Sequence, residues 1–201
     1  IKEKFLINNT IQEIRKNIQS EIDDSMKIAF SEPEVQADLD FELNSVYKKY
    51  DFNLVTSSYS GENMRFIDSI SSALRDGMKA HDKLIFMGQD IAEYGGVFKI
   101  SEGFLKEFGK DRIRNTPICE SVIISMALGL SVKGYKSIVE MQFSDFVSTG
   151  FNAVVNNLAK SHYRWGQTAD VVVRMPCGGG VGAGPFHSQT NEAWFTHTPG
   201  L

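Results

Sequence analysis

Residues 117–141 read PICESVIISMALGLSVKGYKSIVEM, and this stretch decides the fold. It opens on Pro117, a residue that suits the first turn of a helix because its missing N–H would be unpaired there anyway. From 117 to 132, Ile, Val, Met, Ala and Leu fall on nearly every face, which predicts a buried helix. Residues 135–141 then read as a strand. Working outward, the alternation continues. Residues 64–80 are helical, with Ile67, Ile70, Leu74 and Met78 on one face. Residues 83–88 (KLIFMG) form an apolar strand, 103–108 a short helix, 145–165 a long helix, and 170–175 (DVVVRM) a strand with a continuous apolar centre. Strands alternating with helices predict an α/β fold, a parallel sheet covered on both faces. In such sheets ligands bind at the carboxyl ends of the strands.

Upstream the texture differs. Ile11, Ile14, Ile18, Ile22 and Met26 recur at helical steps, so residues 1–31 read as an amphipathic helix. Thr10 with Glu13 has the capping-box pattern, and Ser31-Glu32-Pro33 ends the helix. Residues 32–62 are polar and weakly periodic, and 51–63 read as a linker carrying the main boundary. The chain of 201 residues begins on Ile1 and ends on Thr198-Pro199-Gly200-Leu201, which reads as a fragment of a longer protein.

Composition narrows the function classes. Hydrophobic content of 42% and a net charge of −4 describe a globular chain without the basic surface that nucleic acid requires. No apolar run reaches the roughly 18 residues that span a bilayer, and no signal peptide is visible. Cys119 and Cys177 lie far apart, with no metal-finger spacing, and read as reduced thiols of a cytoplasmic protein.

Four places carry candidate chemistry. Glu120 lies in or near the first turn of an apolar helix; it is either a solvated acid favoured by the helix dipole or a carboxylate in an apolar pocket that shares a proton with a ligand nitrogen. The loop CGGGVGAG at 177–184 contains G-x-G-x-x-A, but Pro185 and Phe186 follow where a dinucleotide fingerprint needs a helix. A loop that lets backbone approach a ligand, a plain surface loop and a nicotinamide-dinucleotide site all remain open. His187 ends that loop and reads as a catalyst or as a satisfied polar residue. Gln142, Phe143 and Phe146 follow a strand's carboxyl end, as a hinge packed in the core or as a stacking surface.

Taken together, AEYGGVFKIS (92–101), FGKDRIRNTPICE (108–120), EMQFSDF (140–146) and GAGPFHSQTNEAWFTHTPG (182–200) resemble the beta subunit of the branched-chain 2-oxoacid dehydrogenase decarboxylase. The match is less specific for the branched-chain type over pyruvate dehydrogenase, although GGVF, EMQF and TPICE lean toward the former. Residues 5–35 are similar to the carboxyl-terminal tail of the alpha subunit, so the resemblance implies a fused alpha–beta chain joined at 51–63. It further implies a transketolase-type pyrimidine-binding domain over 64–201, truncated at its carboxyl end, with helical residues 1–50 as an extension. That domain grips the aminopyrimidine ring of thiamine diphosphate. The alpha part holds the diphosphate and magnesium through a GDG motif that this sequence lacks. Carried over by position, Glu120 hydrogen-bonds the pyrimidine ring nitrogen and favours the imino tautomer that deprotonates the thiazolium carbon. Ile118 and Gln142 line the pyrimidine pocket. Phe146 stands where branched-chain relatives have Tyr, so it keeps the ring and loses the hydroxyl. His187 sits near the reacting carbon and assists acyl transfer to a lipoyl group. The implied partners are an alpha-type domain, a lipoyl domain and an acyltransferase core, in a dimer or heterotetramer.

Overall fold

Four short strands form one wholly parallel sheet in the computed structural model: β1 (Leu84–Gly88), β2 (Ile113–Asn115), β3 (Lys136–Glu140) and β4 (Val171–Arg174), in the order β2-β1-β3-β4. The structure describes residues 8–50 and 61–201. Helices α1 (Asn8–Ser31), α2 (Leu39–Ser45), α3 (Phe66–Ala80), α4 (Phe104–Phe108), α5 (Glu120–Val132), α6 (Ser161–Trp165) and α7 (Ala193–Thr196) complete the described elements with three tighter or wider turns.

Strand alternation divides the core in two. Leu84 and Phe86 of β1, with Ile113 of β2, pack on Met78 of α3, Ile91 and Phe104 of α4. Met87 and Val139 point the other way, onto Ile123, Ile124 and Ala127 of α5 and onto Val147, Val154 and Leu158. Register keeps each set on its own face, because Phe86 lies opposite both Ile113 and Ile138, and Met87 opposite Val139. The result is the three-layer α/β arrangement that the alternation predicts. Each fully buried Phe, Ile or Met contributes roughly 1.5–3 kcal/mol of burial.

Two devices set the strand ends. Arg112 donates from Nη2 to the carbonyls of Met78 (2.5 Å) and His81 (2.7 Å) and from Nε to Leu84 (3.1 Å), tying the end of α3 to the start of β1. Gly88 ends β1 so close to β3 that a Cβ there would stand 2.6 Å from the Glu140 carbonyl oxygen. Its absent side chain is what lets the two strand ends meet. The chain passes from β1 to β2 on one side, then to β3 on the other. That reversal opens a crevice at the carboxyl ends of β1 and β3.

Several expectations change. Strand β2 was not predicted, since three residues with one apolar member carry no pattern. Helix α5 starts at Glu120, not Pro117. The Thr116 N–H bonds the Gly88 carbonyl (2.9 Å), which ties the chain to the end of β1 before it bends at Ile118 into α5. Nor is α5 buried all round: Val122, Met126 and Val132 on one face are about half exposed. The long helix of 145–165 is instead a 3-10 stretch (Ser144–Gly150), a π-helical stretch (Ala153–Leu158) and α6. At Gly150, where the 3-10 stretch ends, a Cβ would stand 2.6 Å from Ile124 Cδ1 and 3.3 Å from the Glu120 carbonyl, so this segment lies against the opening of α5.

The chain divides into compact units Ile1–Asp40 and Phe41–Leu201. Within the second unit Glu42 accepts the Tyr163 hydroxyl, and Lys48 Nζ reaches Thr168 Oγ1 at 3.3 Å. Residues 51–60 of the proposed linker, and 1–7 of the first helix, lie outside the described residues. In the first unit Thr10 sits inside α1 rather than capping it, and Ile14, Ile18, Ile22 and Met26 share a face that is about half exposed. Helix α2 interrupts a stretch that read as irregular. No helix among the described residues is long and apolar enough to cross a membrane.

Candidate active site

Glu120 is the first residue of α5 and is 8% exposed. Gln89, the first residue after β1, donates from Nε2 to Glu120 Oε1 (3.1 Å), and the Thr149 hydroxyl donates to Oε2 (2.9 Å). Gln89 is itself buried. The carboxylate is therefore held at both oxygens by neutral donors and keeps lone pairs for a further partner.

From this acid, two routes of contact reach other candidates. Through β1, Gln89 adjoins Asp90, whose Oδ2 accepts the Gln142 amide at 3.0 Å. Asp90 holds a left-handed backbone (φ 58°), a conformation costly for most residues other than Gly and more tolerable for Asp and Asn. Through the 3-10 segment, Thr149 also lies 2.9 Å from the Phe146 carbonyl. The Phe146 ring meets the His187 ring edge-on at 5.3 Å, and Phe143 meets it at 5.0 Å. Phe98 closes on Phe143 at 5.9 Å. Glu120, Gln142, Phe146 and His187 thus belong to one contact network. Ile118 stands apart: it lies at a bend just before α5, with 83% of its surface exposed.

The loop carrying His187 is pinned from below. The Gln189 N–H donates to buried Asp145 (3.2 Å), the Ser144 hydroxyl to the Gln189 carbonyl (3.1 Å), and the buried Asn191 amide to the Ser144 carbonyl (2.9 Å). The glycine run makes a single 3-10 turn, Gly179–Val181, and opens no helix. That geometry lacks what a dinucleotide fingerprint needs. Within the same loop, Cys177 donates to Glu192 (3.4 Å), and that bond raises the thiol above its ordinary range. Cys177 is thereby kept as a thiol rather than a thiolate nucleophile.

Beneath the crevice, Glu140 ends β3 beside Arg174 of β4, and both are largely buried. Arg174 Nη1 lies 2.6 Å from Glu140 Oε2 without the alignment of a hydrogen bond. Burial raises the Glu140 carboxyl above its ordinary range, and Arg174 offsets this only in part. An apolar cavity of about 540 Å³ along β4, lined in part by Val171, Val173 and Met175, contains none of the candidate residues. The carboxylate and the rings, rather than cavity size, define the site. Among the described residues no cluster of three His, Cys, Asp or Glu could hold a metal ion.

Sequence reasoning missed Gln89, Asp90, Thr149 and Asp145. Gln89 and Asp90 were findable, because they follow a predicted strand at its carboxyl end. Thr149 lay inside a predicted helix and carried no signal.

The family model for the pyrimidine-binding domain of transketolase matches residues 62–201. The chain belongs to the transketolase pyrimidine-binding domain family. Its relatives include a pyruvate dehydrogenase E1 component subunit beta of Leifsonia xyli, 37% identical over 142 residues, or 70% of this chain and 42% of the relative. A 2-oxoisovalerate dehydrogenase subunit beta of Bacillus subtilis is 38% identical over 69% of this chain and 43% of its own length. A 3-methyl-2-oxobutanoate dehydrogenase subunit beta of Mycobacterium tuberculosis is 39% identical over 70% and 41%. The chain thus spans less than half the length of these relatives. In this pyrimidine-binding domain every residue of the network lies on the segments that follow the four strands.

Proposed function

We propose that this chain supplies the pyrimidine half of a thiamine-diphosphate site in a branched-chain 2-oxoacid dehydrogenase of the E1 type. The observation that carries the reading is the buried Glu120 carboxylate, held by Gln89 and Thr149 at the crevice of a pyrimidine-binding domain. The donor set fits an aminopyrimidine. An acid with free lone pairs suits a ring nitrogen, and Phe146 offers a ring to stack on.

When bound, the cofactor supplies the electron sink for decarboxylation. Glu120 holds and exchanges a proton at the pyrimidine nitrogen. Gln142 and Phe146 orient the ring, and His187, fixed between Phe143 and Phe146, serves acyl transfer to a lipoyl group. The diphosphate and its magnesium belong to an alpha-type partner domain. Residues 1–50, with their resemblance to an alpha-subunit tail, are read as the carboxyl-terminal tail of an alpha part fused to this domain. The lipoyl domain and acyltransferase core complete the assembly. The free Cys119 and Cys177 suit the reducing cytoplasm.

The branched-chain reading rests on the GGVF, EMQF and TPICE spellings, while relatives named for pyruvate share the same fold region. The test is oxidative decarboxylation by this chain assembled with an alpha-type partner, comparing 3-methyl-2-oxobutanoate with pyruvate. We expect turnover only with partner and cofactor present, and faster with the branched substrate. Turnover by the 201-residue chain alone would overturn the half-site reading, and faster turnover of pyruvate would overturn the substrate.

A further inference from the structure

Thr149 has one hydroxyl proton and two acceptors within reach. Its Oγ1 lies 2.9 Å from Glu120 Oε2 and 2.9 Å from the carbonyl oxygen of Phe146. A hydroxyl donates to one acceptor at a time and accepts through its lone pairs. Gln89 has no such choice. Its Nε2, 3.1 Å from Glu120 Oε1, can only donate, so Oε1 is an acceptor whatever the charge on the acid.

The two carboxylate oxygens are therefore unequal. Placing a proton on Oε1 would set an O–H against the Gln89 amide N–H. Placing it on Oε2 breaks nothing, because Thr149 can turn. With Glu120 ionised, Thr149 donates to Oε2. With Oε2 protonated, that O–H can donate to Thr149 Oγ1, while the Thr149 proton turns to the Phe146 carbonyl. The incoming proton ends on Oε2, Thr149 keeps its own, and no other bond is exchanged. Gly150 makes this possible by letting the 3-10 segment lie against the first turn of α5.

We infer that Thr149 is a positioning residue for Glu120, a rotating donor that keeps Oε2 hydrogen-bonded in both protonation states while Gln89 reserves Oε1. Its value to catalysis rests on the proposed exchange of a proton between Glu120 and the pyrimidine nitrogen. The arrangement also links Glu120 to the backbone of Phe146, whose ring packs on His187. Other titratable groups on the elements packed here are Asp90, after β1, and Asp145, on the 3-10 segment.

The test is a carbon-13 NMR titration of the 201-residue chain without cofactor, following the Glu120 carboxyl carbon and the Phe146 carbonyl carbon. Both signals are expected to move with one midpoint. Glu120→Gln should abolish the Phe146 response, which separates it from Asp90 and Asp145. Thr149→Val should also abolish it, with Thr149→Ser restoring it. In the assembled enzyme, Thr149→Val is expected to lower turnover about tenfold, the cost of one charge-assisted hydrogen bond, and Thr149→Ser to recover it. A Phe146 carbonyl that ignores Glu120, or follows it equally in Thr149→Val, overturns the inference. Because this titration contains no cofactor, failure of the proposed cofactor site leaves its result standing.

Discussion

Turnover of the enzyme assembled with an alpha-type partner is expected to fall by about 10²- to 10⁴-fold when Glu120 is replaced by glutamine, the range for losing a general acid–base group. Glutamine keeps the volume, and its carbonyl oxygen can still accept the Gln89 amide. What it loses is the exchangeable proton. The fold should be little changed, because none of the apolar contacts of α5 depends on the carboxylate; they run through Ile123, Ile124 and Ala127. Urea unfolding followed by tryptophan fluorescence checks this directly, since Trp165 and Trp194 both lie in the pyrimidine-binding domain. A large loss of stability alongside the lost turnover would assign Glu120 a structural role instead. Unchanged turnover would remove it from the chemistry.

The largest effect on stability is expected at Glu140. Replacing it with leucine leaves the Arg174 guanidinium buried beside the ends of β3 and β4 without its partner. Breaking a buried pair from one side costs about 3–5 kcal/mol. Replacing both residues, Glu140→Leu with Arg174→Met, is expected to recover most of that, because the uncompensated charge is gone. The pH dependence has a definite sign. The folded carboxyl titrates above its unfolded value. Its contribution to stability is therefore full below the ordinary carboxylate range and is lost as pH rises through the raised value. Glu140 should contribute a loss of stability across that window, and Glu140→Gln should remove that contribution. A slope unchanged in Glu140→Gln would place its origin elsewhere.

Much of the fold was legible because it rests on periodicity. The apolar run at 83–88 is fully buried, and 170–175 and the helix of 64–80 each turn one side to the core, through Val171 and Val173 and through Leu74 and Met78. What was hidden is what packing decides locally. Pro117 suits a helix start, yet the Thr116 N–H is tied to the Gly88 carbonyl and the chain bends at Ile118 before α5 begins at Glu120. Residues 145–165 have helical composition, but the chain winds them as a 3-10 stretch, a π-helical stretch and a short α-helix, with Gly150 lying against α5. The site divides in the same way. Glu120 was conspicuous as an acid in an apolar run, and His187 as a histidine after glycines. Gln89 and Thr149 are neutral polar residues of common kind, and only the folded chain brings them to the acid from 31 and 29 residues away.

The most direct test of the half-site is the carbon-13 signal of the Glu120 carboxyl in the assembled enzyme, recorded with thiamine diphosphate and with an analogue whose pyrimidine ring carries carbon in place of the nitrogen. The account predicts a shift with the cofactor that the analogue, though bound, fails to produce. A Glu120 signal that stays still, or that moves equally with both, would contradict it.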